Sequence, residues 1–230
     1  MTQFVQTQIR DQEIWLANHT YSLHHWTSWS SEPENLDFID SLQVGEVFLD
    51  LGACEGRFSL YAAKKGIQTI AVEPELTNFL TLLANINRNG LLGEKVRAVN
   101  KAVGASNHIS KMVMQVKEAG AHNKRVDQTS RSDLSFPTLE TQEVEVVTCD
   151  SEFANQLVTA IKVDVDGSEK EFLAGTTQIL SRPEVKNLMF ELCYADPSFE
   201  EIVRKLYRLG FQLYKEFPIE KDLYNVWFKK

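Results

Sequence analysis

Apolar and polar positions along the chain alternate between two periods. The run "VFLDL", Val47 to Leu51, is short and continuously apolar apart from its acid, as expected of a strand buried on both faces. Phe58 to Lys65 returns to helical spacing, and Gly66 supplies a stop. "TIAVE", ending at Glu73, is a second strand. Leu76 to Asn89 is a second helix, with Phe79, Leu80, Leu82, Leu83 and Ile86 apolar and Gly90 after it. "KVRAVNKAV" reads as a third strand. "HISKMVMQV" and "EVEVVTC" read as extra strands around a polar loop, Lys117 to Thr138. "TAIKVDVDG" is a fourth core strand followed by a helix from Ser168, and "NLMFELC" is a fifth. Phe199 to Leu209 is a helix stopped by Gly210, and "FQLYKEF" and "LYNVWFK" close the chain as an antiparallel pair. Upstream the pattern is mixed, with one or two helical turns from Leu36 to Leu42.

Strand and helix in alternation give an α/β class with a mainly parallel sheet. Residues 1–45 are expected to be an N-terminal extension packing on the core, and 46–230 a single catalytic-sized domain. In such sheets ligands bind at the carboxyl ends of the strands, near the point where strand order reverses. Several of these strands end in acids.

Composition narrows the partners. A net charge of −8 argues against nonspecific contact with DNA or with an anionic membrane. The cysteines, Cys54, Cys149 and Cys193, are scattered and form no CxxC pair, so neither a disulfide framework nor zinc is expected, and a reducing, cytoplasmic setting is the default. "MTQFVQTQIRDQEIW" carries no apolar leader, and no segment reaches the ~18 apolar residues of a membrane span.

The stretch after the first strand carries the first chemistry. Asp50 ends it, Gly52 and Gly56 flank a bare turn with Ala53 nearly as small, and Glu73 with Pro74 ends the next strand. Such a loop lets backbone approach a ligand, and an acid at the second strand end can accept ribose hydroxyls. A nicotinamide dinucleotide and S-adenosylmethionine both meet that description. The glycine spacing fails the dinucleotide pattern, because Cys54 and Arg57 stand where glycines are required. Asp50 would repel a pyrophosphate but suits an ammonium and a sulfonium, so the loop favours the methyl donor. A tight turn with no ligand is the plain alternative.

In "IKVDVDGSEKEFLAG" the charges Lys162, Asp164 and Asp166 alternate with Ile161, Val163 and Val165, and an extended strand would put the three on one face. Charges in mid-sheet are costly unless paired, so they belong at the open strand end, or form a surface ion-pair set there. Gly167 then turns the chain and Ser168 can cap the next helix. Glu191 in "MFELC" repeats the theme, or is a buried structural acid.

Together these stretches resemble the FkbM-type methyltransferases, S-adenosylmethionine-dependent O-methyltransferases of the class I fold. The matching residues are "DLGACEG", "VEPE", "NINRNG", "NKAVG", "IKVDVDGSEKEFLAG" and "MFELC", over about Val47 to Leu213. Cys54 replaces a usual Asn and Asp166 a usual Glu. The resemblance implies a Rossmann-like three-layer sandwich, with a seven-stranded sheet and an antiparallel last strand. It also implies methyl transfer to a hydroxyl of a small molecule, sugar or glycan. On that basis Asp50 and the backbone of Gly52, Ala53 and Gly56 would hold the methionine end of the donor. Glu73 and Pro74 would hold the ribose, Lys101 and Ala102 would border the adenine, and Asp164 would lie by the sulfonium. Candidates for the base are Asp164, Asp166, Glu191 and His122, the last having the most suitable intrinsic pKa. Lys162 could lower a hydroxyl's pKa or simply neutralise the acids. Oxygen ligation of a metal by Asp164, Asp166 and Glu191 is an alternative. His24, His25, Trp26 and Trp29 could wall the acceptor or anchor the extension, and Lys124, Arg125 and Arg131 could meet an anionic acceptor. Competing readings are an RNA- or protein-directed methyltransferase, a donor-binding protein without catalysis, and a nicotinamide-dependent oxidoreductase.

Overall fold

The computed structural model describes residues 2–18, 32–114, 124–126 and 140–230. Its first element is a hairpin that the sequence pattern did not announce. β1 (Phe4–Ile9) and β2 (Gln12–Ala17) pair antiparallel across Arg10 and Asp11. Arg10 takes a left-handed φ of 51°, and its guanidinium is held by Asp37 and Asp40 of α1 (Pro33–Asp40). The outer edge of β2 is satisfied by side chains. The Asn89 and Asn85 Oδ1 atoms accept the N–H groups of Trp15 and Ala17 at 2.9 and 2.7 Å.

The core then builds as β3 (Val47–Leu51), α2 (Arg57–Lys64), β4 (Gln68–Val72), α3 (Leu76–Arg88) and β5 (Val96–Val99). The predicted third strand is cut at Asn100. Asn100 Nδ2 donates to the carbonyls of Glu73 and Pro74, which draws the chain across the end of β4 and out of the main sheet. Beyond it, β6 (Ala102–Val103), β7 (His108–Met114), β8 (Lys124–Val126) and β9 (Glu140–Val147) form a separate four-stranded sheet in the order β6–β9–β7–β8. α4 (Cys149–Glu152) leads back to β10 (Ala160–Val163), followed by α5 (Glu169–Ala174), α6 (Thr177–Ser181), β11 (Asn187–Cys193), α7 (Phe199–Arg208), β12 (Gln212–Glu220) and β13 (Leu223–Lys229).

The main sheet has seven strands in the order β12–β13–β11–β10–β3–β4–β5. Five neighbours, β5 through β11, run parallel, and β13 lies antiparallel between β11 and β12. Alternation along each strand feeds two apolar layers. Leu49, Leu51 and Ile161 pack with Phe172, Ile179 and Leu206 on one face. Phe48 packs with Phe38, Tyr61 and Leu82 on the other, where Ile9, Ile14 and Leu16 of the hairpin join the same layer. At ~1.5–3 kcal/mol for each large apolar side chain buried, these layers outweigh local propensity in holding the sheet.

From β3 the chain winds outward to β4 and β5, then returns on the other side of β3 as β10. That reversal opens a crevice beyond the carboxyl ends of β3, β4 and β10. Among the described residues, no helix is long and apolar enough to cross a membrane.

Candidate active site

The crevice begins at Gly52. Its φ is +76°, and a Cβ there would lie 1.8 Å from the Asp164 carbonyl oxygen. Glycine therefore lets the loop after β3 close against the end of β10. The N–H groups of Gly52 and Ala53 both donate to the Val72 carbonyl at 3.0 Å, tying the loop to β4 as well. Gly56 starts α2 against Leu82 Cδ1, which a Cβ would meet at 2.4 Å. Gly52 and Cys54 line the cleft, whereas Ala53 and Gly56 pack behind it.

Glu73 sits one residue past β4 and is only 5% exposed. Its Oε2 accepts the Cys54 N–H at 2.9 Å and its Oε1 the Glu75 N–H at 2.9 Å. The first bond needs Cys54 at a left-handed φ of 52°. These two bonds fix its orientation, and it lines the cleft beside Pro74. Glu75 turns away to cap α3, accepting the N–H groups of Thr77 and Asn78.

Asp50 does not meet the cleft. It is fully buried on the face of β3 covered by α2, where Ser59 Oγ donates to its Oδ2 at 2.5 Å. Lys162 stands in register with it on β10, and the ammonium lies 4.0 Å from Asp50 Oδ1 and 2.9 Å from Asp164 Oδ2. Burial pushes the Asp50 carboxyl up, against the pull of Lys162 and Ser59. Burial pulls the Lys162 ammonium down, but Asp164 and Asp50 outweigh it and the net shift is upward. The expected direct contact of Asp50 with a ligand thus gives way to a support role, because the strand's alternation points its side chain into the layer under α2.

Of the three charges expected along one strand face, only Lys162 lies within β10, and its ammonium donates to Asp164 just beyond the strand at 2.9 Å. The strand ends at Val163, and Asp166 turns left-handed at φ 48° just before Gly167 at φ 97°. Asp164 and Asp166 both line the cleft. Ser168 precedes α5 without a side-chain cap bond, and Glu169 Oε1 accepts the Gly167 N–H instead. Glu191 lies outside the main cleft, in a small adjoining pocket with Glu169 and Asp196. Burial, then the charges of Asp164, Asp166 and Glu169, push its pKa up to about 10. Among the described residues, no three His, Cys, Asp or Glu side chains converge on a metal position.

The cleft encloses about 720 Å³ including its mouth. Across the sheet from Asp164, its wall is Ala102, Val103, Met112 and Val126, an apolar surface supplied by the four-stranded sheet. Lys101 is the only cationic side chain among the described lining residues, and its Nζ is held by Glu152 at 2.9 Å and Glu145 at 3.0 Å.

Of the residues singled out in the sequence, the structure therefore gathers Gly52, Glu73, Pro74, Lys101, Ala102, Asp164 and Asp166 around one cleft. Lys162 and Asp50 lie buried below it. His122, His24, His25, Trp26, Trp29 and Arg131 lie outside the described residues, as do the side chains of Lys124 and Arg125. Sequence reasoning missed Met112 and Val126, whose apolar character alone carried no signal. It also missed Asn85, whose Nδ2 donates to the Glu55 carbonyl at 2.9 Å and so links the glycine loop to β2.

Known proteins with this architecture place the site in context. Among curated proteins, none matches the chain significantly in sequence. Its fold is similar to an FkbM methyltransferase from Methylobacillus flagellatus, with a TM-score of 0.57 and 16% identity over 80% of this chain. This chain spans 43% of that protein's length. It is also similar to Aeropyrum pernix fibrillarin with natively bound S-adenosyl-L-methionine, with a TM-score of 0.55 and 9% identity, covering 98% of this chain and 82% of that one. A precorrin-6y C5,15-methyltransferase from Geobacter metallireducens has a TM-score of 0.52 and 10% identity, covering 87% and 89% of the two chains. The profile of the methyltransferase FkbM domain matches residues 50–213, most of the chain and all of the cleft's strand ends. This chain belongs to the FkbM methyltransferase family.

Proposed function

We propose that this chain is an S-adenosylmethionine-dependent O-methyltransferase acting on a hydroxyl of a small molecule, sugar or glycan. The observation that carries the reading is Glu73, a carboxylate facing the cleft from the end of β4 with its orientation fixed by two backbone N–H groups. A carboxylate so placed accepts the hydroxyls of a ribose and repels a phosphate. The rest of the cleft fits the same donor. Ala102, Val103, Met112 and Val126 offer an apolar wall to a purine, and Asp164 puts negative charge at the opposite end. Lys101 is already committed to Glu145 and Glu152, so a pyrophosphate would find no ready counter-charge in the lining.

When bound, the donor supplies a methyl group on a positively charged sulfur. The chain's own residues do the positioning, which suffices for much of the rate of a single displacement. Glu73 holds the ribose, the loop at Gly52 sets the depth of the cleft, and Asp164, steadied by Lys162, supplies negative charge to its lining. The acceptor hydroxyl must lose a proton, and besides Glu73, which is assigned to the ribose, Asp164 and Asp166 are the described carboxylates that line the cleft. Glu191, pushed up by burial and by the charges of Asp164, Asp166 and Glu169, lies outside the main cleft and is the weaker candidate for the base. The net charge of −8 weighs against a nucleic-acid acceptor. The free thiols of Cys54, Cys149 and Cys193 accord with a cytoplasmic setting.

The test is a thermal-shift titration with S-adenosylhomocysteine and, in parallel, NAD. A specific ligand at one hundred times its Kd adds about 2.7 kcal/mol of stability. A shift with S-adenosylhomocysteine alone is expected. A shift with NAD alone, or with neither, overturns the donor assignment.

A further inference from the structure

Gln142 lies on the inner face of β9, the face it shares with buried Val144 and Val146. A polar side chain there needs partners. It finds both outside its own sheet. Its Nε2 donates to the Pro74 carbonyl at 3.0 Å, and its Oε1 accepts the Leu76 N–H at 3.0 Å. The amide thus spans the turn that follows Glu73, gripping it at two points.

Asn100 also holds that turn, its Nδ2 donating to the Glu73 and Pro74 carbonyls. Pro74 has no N–H to offer, so its position is set through its carbonyl, which Gln142 and Asn100 share. Leu76 is the first residue of α3 and has one of the N–H groups that no helical carbonyl reaches. Glu75 covers the next two. Asn100 belongs to the connection leaving the main sheet, whereas Gln142 is the grip supplied by the body of the four-stranded sheet. Met112, directly opposite Gln142 in the β7–β9 register, lines the apolar end of the cleft. One sheet therefore forms the apolar wall and also fixes the turn carrying the carboxylate.

We infer that Gln142 is a positioning residue for the donor site: it sets where the Glu73 carboxylate stands relative to the apolar wall, and so sets selectivity for the ribose hydroxyls. This rests on the donor reading given above. Loss of the amide leaves the apolar wall in place and frees the turn, so the penalty falls on the ribose rather than on the purine.

The experiment compares binding of S-adenosylhomocysteine and its 2′,3′-dideoxy analogue by calorimetry to wild type, Gln142→Ala and Gln142→Met. The Met variant keeps most of the side-chain volume and removes only the amide. Wild type is expected to prefer the ribose compound. Both variants should lose roughly tenfold in affinity for it while binding the dideoxy analogue nearly as wild type does. In a Glu73→Ala background, Gln142→Ala should cost nothing further. Equal losses for both ligands, or undiminished preference for the ribose in the variants, overturn the inference and leave Gln142 a structural residue. Failure of wild type to bind either compound overturns the donor reading and the inference with it.

Discussion

The Lys162 ammonium stands 2.9 Å from the Asp164 carboxylate, while Asp50, its register partner on the neighbouring strand, lies 4.0 Å away on the other side. One buried cation thus serves two carboxylates. Removing one member of a buried ion pair leaves uncompensated charge and costs about 3–5 kcal/mol. Lys162→Met is therefore expected to lower the unfolding free energy read from urea denaturation by about that much, with a lower midpoint, despite the similar volume. An unchanged midpoint would mean that Asp50 and Asp164 are accommodated without their cation.

Glu73→Ala should leave the fold nearly intact and weaken S-adenosylhomocysteine by about 1–3 kcal/mol, the scale of hydrogen bonds to a charged group. Calorimetry on the purified variant reads this directly. Because Cys54 and Glu75 lose their acceptor at the same time, a modest fall in Tm should accompany it. Unaltered affinity would remove Glu73 from the ribose.

Glu191 gives the chain a pH dependence of definite sign. Its folded pKa, about 10, lies above the unfolded value of about 4.3. The folded form keeps a proton that the unfolded form releases. The contribution is fully present below about pH 4.3 and is lost as pH rises toward the folded pKa. Glu191→Gln removes the titration, so its Tm should match wild type near pH 4.5 and exceed it at pH 8.5. The gain should grow with pH between those two points. Parallel Tm–pH curves would show that Glu191 ionises normally.

The parts legible in the sequence were those written in local pattern. "VFLDL" and "NLMFELC" announce strands because sheets covered on both faces need continuous apolar runs. The acids at the strand ends pointed to the cleft for the same reason. What the pattern could not give was direction and distance. Asp50 was identified by type, yet its side chain points into the layer under α2, and only the register with Lys162 reveals it as a support. The hairpin of β1 and β2 escaped notice because its turn is Arg10–Asp11, without the Gly or Asn that marks such turns. Its edge is also satisfied by asparagines about seventy residues away in sequence. The break at Asn100 follows from side-chain bonds to Glu73 and Pro74, which no window of sequence contains.

Gly52→Ala should be among the most damaging single methyl additions. The residue sits at φ +76°, and the new Cβ would fall 1.8 Å from backbone oxygen of Asp164. Left-handed strain of about 1–3 kcal/mol adds to overpacking of about 1–3 kcal/mol. Relief requires the loop to withdraw from β10, so S-adenosylhomocysteine affinity should fall together with Tm. A variant of wild-type Tm would mean that the loop has freedom this packing denies it.

Asn85 ties the N-terminal hairpin to the glycine loop, and its loss should be felt at both ends. The residue is fully buried. Its Oδ1 accepts the Ala17 N–H at 2.7 Å and its Nδ2 donates to the Glu55 carbonyl at 2.9 Å. Asn85→Ala strands one donor and one acceptor away from water, at about 1–3 kcal/mol each. Amide exchange at Ala17 should accelerate beyond what the drop in global stability explains, because β2 loses a bond on its outer edge. Affinity for S-adenosylhomocysteine should fall as well, since Glu55 follows Cys54, whose N–H orients Glu73. If exchange at Ala17 rises while affinity holds, Asn85 anchors the hairpin alone. If both hold, the two bonds are replaced by water and the side chain couples nothing.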